Sequence, residues 1–305
     1  MSTESHSVAT RGVLAAGASF FLWGLWPLYW HQMQAVSAFE LVAHRIVWSL
    51  LLLLAILLAQ GALAQLRPVL KAHTVFSPSL LSGVLLATNW TIYVWAVNNG
   101  HVIDSSLGYF LTPLLNVAFG YAFLHERLRM PQWAAVALAV AGVAVLLLRA
   151  GHLPWIALSL ATSWSLYGVL KKKSSLEPIA GLAAETLLLA PVAMTLLLWR
   201  VGHGDSAFAQ HSLSLDAWIL ASGVFTTAPL LMFAYGARRI RLATLGLLQY
   251  IAPSVQFLLG LWHYKEPLDA VRLHACLLIW CGLILYTLDS FWSQRARFRP
   301  AADAA

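Results

Sequence analysis

Residues 106–128 read SLGYFLTPLLNVAFGYAFLHERL, and residues 244–268 read TLGLLQYIAPSVQFLLGLWHYKEPL. Each stretch holds a proline inside an apolar run, a glycine seven residues later and a glutamate near its end. A shift of 140 positions superposes these features: Pro113 on Pro253, Gly120 on Gly260 and Glu126 on Glu266. Prolines that interrupt corresponding apolar helices in two halves of a membrane protein are typical of a transporter's binding site. The pattern therefore predicts a chain built from two related halves.

The composition excludes a soluble protein. Of 305 residues, 60% are hydrophobic and 10% charged, and the mean hydropathy is +0.73. A soluble domain carries about 25% charged residues. The net charge of +7 comes from short basic clusters between apolar runs, which is typical of membrane topology rather than of nucleic-acid binding. We therefore predict an all-α integral membrane protein.

Apolar runs of suitable length occur along the whole chain. A helix needs about 20 mostly apolar residues, with a range of about 17–25, to cross a bilayer. That length predicts ten spans: 12–30, 38–58, 79–98, 105–124, 132–148, 154–170, 179–199, 217–235, 243–261 and 273–288. No small-residue cleavage site closely follows the first run, so we interpret it as an uncleaved span.

The lysines and arginines predict the orientation of these spans. If the N-terminus is cytoplasmic, 14 basic residues fall on inner segments and 4 on outer ones, Arg149, Arg200, Lys265 and Arg272. Cytoplasmic loops carry the excess of basic residues in membrane proteins. Both tails, residues 1–11 and 289–305, are therefore predicted to be cytoplasmic.

The repeat gains meaning from this topology. A spacing of 140 residues covers five predicted helices, so the halves would be residues 12–148 and 154–288. Because five is odd, the second half would enter the membrane in the opposite orientation. Inverted repeats of this kind let one structure open alternately to the two sides of a membrane.

Ionisable residues inside the predicted spans are few. His44 and Arg45 lie about two turns into the second span, and Glu185 lies at the equivalent depth of the seventh. Such residues normally face the bundle interior, because a charge in the apolar layer costs about 2.5–3.5 kcal/mol on insertion scales. They fit substrate binding or proton coupling, and equally a structural ion pair that holds helices together.

The third span and the proline segments carry further polar and aromatic side chains. Asn89, Trp90 and Tyr93 would line a cavity or make hydrogen bonds between helices. Proline frees a carbonyl within a helix, which suits a ligand or a simple kink. The residues concerned in these segments are Tyr109, Pro113, Gln249, Tyr250 and Pro253, together with Trp23 and Trp26 beside Pro27 in the first span.

Other polar residues favour structural roles. Glu126 and Glu266 are expected to cap the following helix or to pair with nearby arginines. Glu40 and Trp30 are expected at the membrane interface. His203, Asp205 and His211 fall on a predicted outer loop and are expected to be solvated rather than to bind a metal.

These stretches resemble the RarD-type members of the EamA family, within the drug/metabolite transporter superfamily, over about residues 10–290. The similarity is carried by LWGLWPLYW at 22–30, ELVAHRIVWSLLLL at 40–53, NWTIYVWAVNNGHVIDSSLGYFLTPLLN at 89–116, HERL at 125–128, ETLLLAPVA at 185–193, ARRIRLATLGLLQYIAPSVQFLLG at 237–260 and YKEP at 264–267. It implies ten helices in two inverted five-helix EamA-type repeats around a central cavity.

The resemblance also implies export or uptake of a small metabolite or drug. The positions to which it assigns substrate binding are Trp23, Arg45, Asn89, Trp90, Tyr93, Tyr109, Pro113, Gln249, Tyr250 and Pro253. In this interpretation Arg45 attracts an anionic or carboxylate group, and His44 or Glu185 couples transport to protons.

The function predicted from the sequence and the resemblance is that of a secondary transporter (permease) that moves a small organic metabolite or drug across a bacterial-type inner (plasma) membrane by alternating access. The chain has no phosphate-binding loop and no HExxH or GxSxG motif, so we expect neither ATP-driven action nor an enzyme. We expect a small-molecule solute and the lipid bilayer as partners, and no nucleic acid, cofactor or metal; a homodimer is left open. The alternative is a non-transporting membrane-embedded regulatory or lipid-handling protein.

Overall fold

The computed structural model describes residues 2–33, 36–98, 101–150, 155–210, 212–263 and 270–296. Every regular element in these ranges is a helix. The α-helices are α1 Ser2–Gly24, α2 Trp26–Trp30, α3 Ala38–Ala59, α4 Arg67–Lys71, α5 His73–Asn98, α6 Val102–Leu124, α7 Met130–Ala150, α8 Trp155–Lys173, α9 Pro178–Gly202, α10 Leu213–Ala237, α11 Leu242–Leu248, α12 Ile251–Trp262 and α13 Ala270–Ala296. Two 3-10 helices span His31–Met33 and Leu63–Leu66.

The apolar helices make the chain a multi-pass membrane protein. Among the described residues, seven stretches are long and apolar enough to cross a bilayer: Phe39–Ala59, His73–Tyr93, Leu107–Leu124, Met130–Leu148, Pro178–Gly202, Leu213–Ala237 and Leu242–Leu259. Val8–Gly24 and Leu273–Asp289 are shorter apolar helices. The remaining predicted span corresponds to α8, whose last turn carries three lysines. The all-helical class is confirmed, and the count of ten spans stays a prediction.

The predicted span 12–30 is divided into two helices. The first, α1, ends at Gly24, and α2 begins at Trp26 with Pro27 in its first turn. Proline has no N–H to donate and is tolerated in a first turn, where that donor would be unpaired anyway. Gly24 also lets α12 approach closely, since a Cβ at this position would lie 2.6 Å from Val255 Cβ.

The predicted span 243–261 is divided as well. Here α11 ends at Leu248 and α12 begins at Ile251. Pro253 has no N–H for the carbonyl of Gln249, and Ala252 N donates to that carbonyl instead, at 3.2 Å. Pro113, its counterpart in sequence, lies inside the continuous helix α6. The two repeated prolines therefore have different local structures.

Helices from the two halves of the chain pack on one another in matching pairs. A Cβ at Gly142 of α7 would lie 2.8 Å from the carbonyl oxygen of Ala275, and a Cβ at Gly282 of α13 would lie 2.7 Å from that of Ala135. Each residue of the first contact differs from its counterpart in the second by 140 positions. The crossing of α7 and α13 is thus nearly self-complementary.

A similar correspondence joins the first helix of each half to the proline helix of the other. A Cβ at Gly24 of α1 would lie 3.1 Å from the carbonyl oxygen of Ala252, and Ser165 of α8 donates a hydrogen bond to that of Thr112, at 3.3 Å. Further cross-half neighbours are α3 with α9, α1 with α10 and α5 with α8. The main core lies among these helices, where the Phe20, Tyr167 and Phe233 rings meet.

One end of the bundle is rich in basic residues, and we call it the basic end. Arg129, which precedes α7, pairs with Asp289 of α13 at 2.5 Å. Gly12 of α1 lies against Arg239, which follows α10, since a Cβ at Gly12 would be 2.9 Å from Arg239 Cβ. Arg241, close to Arg239, donates a hydrogen bond to the carbonyl oxygen of Arg127, close to Arg129, so Gly12 of α1 and Asp289 of α13 lie at the same end of the bundle.

Candidate functional site

Arg45 is buried in the middle of the bundle. Its side chain projects from α3, the residue is 4% exposed, and its Nε donates to Thr226 Oγ1 of α10 at 2.9 Å. Burying a charge costs several kcal/mol unless it is paired. In the part of the chain that the structure describes, no carboxylate forms an ion pair with Arg45.

Three tryptophan rings surround the guanidinium group. Arg45 Cζ lies 4.8 Å from the ring centre of Trp26, 5.1 Å from that of Trp30 and 4.1 Å from that of Trp90. A cation over an indole ring gains about 0.5–2 kcal/mol, with the larger values in desolvated sites. The rings therefore offset part, and only part, of the cost of burying the charge.

Two hydrogen-bond donors in this cage have no partner. They are Arg45 Nη2 and Trp26 Nε1, and both atoms are fully buried. A buried donor without an acceptor costs about 1–3 kcal/mol. The cage is thus a positively charged site with unused donors.

Tyrosines complete the surroundings of Arg45. Tyr93 of α5 and Tyr109 of α6 have ring centres 5.9 Å apart, and their hydroxyls hydrogen-bond to one another. Both hydroxyls, and that of Tyr29, lie near enough to Arg45 to interact with its charge. Tyr29 donates its own hydrogen to the carbonyl oxygen of Trp218, at 2.7 Å.

A larger aromatic cluster continues from the cage along α1. The ring centre of Trp23 lies 6.2 Å from Trp26 and 5.2 Å from Trp164 of α8, and both Trp23 and Trp164 contact Phe233 of α10. Trp164 Nε1 is also buried without a partner. The cluster therefore extends an apolar wall from the charged cage.

The sequence profile of the EamA-like transporter family matches residues 10–148 and again residues 154–288. The chain belongs to the EamA family. It is 42% identical to "Protein RarD" of Salmonella typhi over 94% of this chain and 98% of the relative. It is 39% identical to the "Uncharacterized transporter YojE" of Bacillus subtilis, over 95% and 98%. Among EamA proteins it is therefore a RarD-type member, as the sequence motifs predicted.

A solved crystal structure shares the fold of this EamA transporter. It superposes with a TM-score of 0.72 and covers 92% of this chain and 98% of its own, at 23% sequence identity. The structural likeness therefore concerns the fold alone.

Five of the predicted substrate-binding residues of this EamA protein lie in or beside the cage: Trp23, Arg45, Trp90, Tyr93 and Tyr109. A sixth, Asn89, lies on the same helix as Trp90, but its amide group is engaged. Asn89 Nδ2 donates to the carbonyl oxygen of Leu160 at 2.9 Å and to Ser163 Oγ at 3.0 Å. Asn89 thus links α5 to α8. Of the two roles considered from the sequence, lining a cavity or bonding between helices, this arrangement corresponds to the second.

The other predicted residues lie where α6 meets α11 and α12. Asn116 Nδ2 donates to Gln249 Oε1 at 3.2 Å, and Tyr250 donates to the carbonyl oxygen of Phe110 at 3.2 Å. Phe110 and Tyr250 occupy equivalent positions of the repeat, with ring centres 6.5 Å apart. Pro113 and Pro253 are buried. These residues join the two halves of the EamA fold, and binding of substrate by them stays a prediction.

The two predicted coupling residues both have ionisable partners. Glu185 pairs with Lys171 at 2.7 Å, and it accepts hydrogen bonds from Ser82 at 2.5 Å and Tyr167 at 3.3 Å. His44 Nε2 lies 3.8 Å from Glu40 Oε1. Neither residue contacts the guanidinium of Arg45 directly in this conformation.

Two interpretations of polar residues need correction. Glu40 is 0% exposed rather than interfacial: it accepts from Ser206 Oγ at 3.0 Å and Ala207 N at 2.7 Å and lies 3.2 Å from Arg200 Nε. Trp30 belongs to the cage around Arg45, not to an interfacial belt. Both residues were expected at the membrane interface because they lie near the ends of apolar runs. The sequence does not show which helix packs against them.

Glu126 has the capping role predicted for it, but on a helix of the other half. Its carboxylate accepts from Leu242 N at 2.8 Å and Ala243 N at 3.1 Å, at the beginning of α11. Lys172 Nζ lies 3.3 Å from Glu126 Oε1. The repeated glycine makes room for it, since a Cβ at Gly120 would lie 2.9 Å from Glu126 Oε2. Glu266 lies outside the described residues.

Proposed function

We propose that this EamA protein is a secondary transporter that moves a small organic metabolite or drug across the bacterial inner membrane by alternating access. The observation that supports it most is the matched pair of contacts between α7 and α13. Gly142 with Ala275 and Gly282 with Ala135 follow one rule, a shift of 140 positions. Two equivalent units packed face to face can exchange conformations, which is how inverted-repeat carriers change the side on which they open.

The proposed topology has ten crossings in two inverted five-helix units, residues 12–148 and 154–288. The two tails, 1–11 and 289–305, lie in the cytoplasm. Gly12 of α1 and Asp289 of α13 lie at the basic end of the bundle, with Arg129, Arg239 and Lys172. The excess of basic residues on the cytoplasmic side then assigns the basic end to that side.

In this topology the cytoplasmic side is closed. Glu126 of the first unit holds the N-terminus of α11 in the second, where the helix dipole adds to the two N–H hydrogen bonds. Arg241 reaches back to the carbonyl oxygen of Arg127 and closes the same junction. We call these contacts the Glu126 latch. Opening toward the cytoplasm requires their separation.

The roles proposed for the site follow from position. Arg45, with Trp26, Trp30 and Trp90 around it, receives the solute, and Tyr93 and Tyr109 supply hydroxyls beside it. Gln249 and Tyr250 adjust the junction of α6 with α11 and α12 as the halves move. Proton coupling through Glu185 is the finer proposal. It fails if the Glu185→Gln variant transports with an unchanged dependence on a proton gradient.

Two-sided cysteine labelling tests the proposed function. Cys276 and Cys281 are replaced first, and single cysteines are then placed at Asn89 and at Tyr250. We expect membrane-impermeant maleimide to reach each of them from either side of the membrane, because the site opens alternately. Cysteine at Glu177, exposed at the basic end, and at Gln210, exposed elsewhere, should each label from one side.

A non-transporting regulatory or lipid-handling protein predicts a different labelling pattern. Its buried positions would stay unreactive, or would react from one side alone. That result at both Asn89 and Tyr250 would overturn the proposed function.

A further inference from the structure

The chemistry of the Arg45 cage indicates the class of substrate. The unpartnered buried atoms of the cage are Arg45 Nη2 and Trp26 Nε1, and both are donors. Donors need acceptors, and a cation without a counter-charge needs an anion. We propose, on the basis of the transport function proposed above, that the solute is an organic monocarboxylate with an apolar, ring-bearing body.

The free edge of the guanidinium determines where the carboxylate would bind. Three indole rings already surround Cζ, and Thr226 takes the hydrogen of Nε. Nη2 is fully buried without a hydrogen-bond partner, and the neighbouring Trp26 supplies a second donor atom. Guanidinium groups bind the paired oxygens of a carboxylate with matching planar geometry.

The charge of the cage favours one carboxylate over a phosphate. The cage offers a single cation, Arg45, with no carboxylate paired to it among the described residues. A phosphate monoester carries up to two negative charges at neutral pH. It would leave negative charge unmatched in a buried site, which is costly.

The cage also disfavours a zwitterion such as an amino acid. An ammonium group carries three donors and needs acceptors or a negative charge. Among the described residues no carboxylate pairs with Arg45, so an ammonium group bound beside it would meet a like charge and no counter-charge, although the phenol oxygens of Tyr93 and Tyr109 can still accept hydrogen bonds. Asn116 Oδ1 is an unpartnered acceptor, but Asn116 lies seven residues, or about 10 Å, along α6 from Tyr109.

The apolar body follows from the wall beside the cage. Trp23 adjoins Trp26 and continues into Trp164 and Phe233. Aromatic rings gain from edge-to-face or offset contacts with other rings. A carboxylate held by Arg45 would place its organic portion against this wall.

The test compares molecules that share one carbon skeleton. The probes are radiolabelled 3-phenylpropionate, its neutral amide and L-phenylalanine, with benzoate and benzamide as a second pair, bound to the purified full-length protein in nanodiscs. We expect at least one acid to bind at least tenfold more tightly than its amide, and 3-phenylpropionate to bind more tightly than L-phenylalanine. Equal affinity for acids and amides, or no binding of either acid, overturns the inference.

Variants connect the preference to the cage. Arg45→Gln should abolish the preference for acid over amide, and Trp26→Phe, which keeps a ring and removes the donor, should weaken acid binding three- to tenfold. Arg239→Gln is the matched control, because Arg239 also lies over a ring, that of Tyr235, at 3.5 Å. An unchanged acid preference in both cage variants contradicts the inference.

Thermal unfolding separates a ligand site from a structural arginine. With no solute present, Arg45→Gln should unfold at the same temperature as the parent protein or higher, because it removes an unpaired buried charge. A lower unfolding temperature assigns Arg45 to the scaffold and counts against the inference.

The inference and the proposed function fail separately. If Asn89→Cys labels from both sides but no acid is preferred, the carrier function stands and the substrate class is wrong. If labelling occurs from one side alone, the carrier function is wrong. A preference for acids would then show that the protein binds a carboxylate without transporting it.

Discussion

Lys171 and Glu185 show how strongly individual buried charges depend on each other in this molecule. The Nζ and Oε1 atoms lie 2.7 Å apart, and both side chains are nearly inaccessible to solvent. Tyr167 adds a hydrogen bond to the carboxylate and places its ring 5.3 Å from Lys171 Nζ. Removal of either partner leaves the other charge buried and unpaired.

We expect Lys171→Met and Glu185→Gln each to destabilise the protein by about 3–5 kcal/mol, and the double variant to recover much of that loss. The measurement is thermal or denaturant unfolding of the four proteins in one detergent. Lys173→Met, at an exposed position of the same turn, is the control and should change little. Additive losses in the double variant would show that the two groups act independently.

At the scale of residues, the sequence predicted which side chains face the interior of the bundle, but not which residues on other helices they contact. Arg45, Trp90, Tyr93 and Tyr109 were predicted to face the interior, and the structure gathers them around one site. Thr226 was not anticipated, because it lies 181 positions from Arg45 and a threonine in an apolar helix is unremarkable by itself. Lys171 was assigned to a cytoplasmic loop, since a lysine cluster after an apolar run looks the same whether it is solvated or paired.

At the scale of elements, the Glu126 latch joins the end of α6 to the beginning of α11. His125 ends α6 in the left-handed conformation, at φ 53°, and turns the chain so that Glu126 points back along the bundle. The carboxylate then satisfies two N–H groups that α11 leaves open at its first turn. The latch is a helix cap whose two parts belong to different halves of the chain.

Glu126→Gln should shift the protein toward the cytoplasm-open conformation. The amide retains one acceptor oxygen but loses the charge that attracts the helix dipole and Lys172, a loss of about 1 kcal/mol or several-fold in the conformational equilibrium. The measurement is the rate of labelling of Asn89→Cys from the cytoplasmic side, which should rise. Glu177→Gln is the control: Glu177 pairs with Arg238 at the same end, at 3.2 Å, but its side chain is 63% exposed. Equal labelling rates in the Glu126→Gln and Glu177→Gln variants would show that the Glu126 latch does not control opening toward the cytoplasm.

The divided helices show what sequence patterns tell about elements. The sequence marked Pro27, Pro113 and Pro253 as interruptions of apolar runs, but not which of them would divide a helix. Both breaks occur next to prolines, yet Pro113 does not break α6, so proline alone does not decide. The neighbouring contacts do: Gly24 meets α12 at close range, and Asn116 and Pro113 meet Gly246 of α11 at 2.8 Å from its Cβ position.

At the scale of the whole molecule, the two halves are interlocked rather than adjacent. The glycine pair at the α7–α13 crossing lets two backbones approach, as small residues do between membrane helices. If the halves are equivalent, the two glycines should matter equally.

Gly142→Ala and Gly282→Ala should each destabilise the protein by about 1–3 kcal/mol, because the new methyl group would lie 2.8 or 2.7 Å from a carbonyl oxygen. Unfolding temperatures measure this, and the two losses should agree within experimental error. Gly202→Ala is the control, since nothing lies within 4 Å of its Cβ position. A large loss at one site and none at the other would argue against equivalent halves.

The wide separation of contacting residues has a consequence for how the chain is made. Thr226, the hydrogen-bond partner of Arg45, follows it in the chain by 181 residues, and Ser206, a partner of Glu40, follows it by 166. At synthesis rates of roughly 5–20 residues per second, α3 waits about ten to forty seconds in the membrane before these partners emerge. During that time the nascent chain carries a buried acid and a buried base without their final neighbours. Correct assembly of this protein thus requires α3 to stay in place, with Glu40 and Arg45 lacking these partners, until the last third of translation.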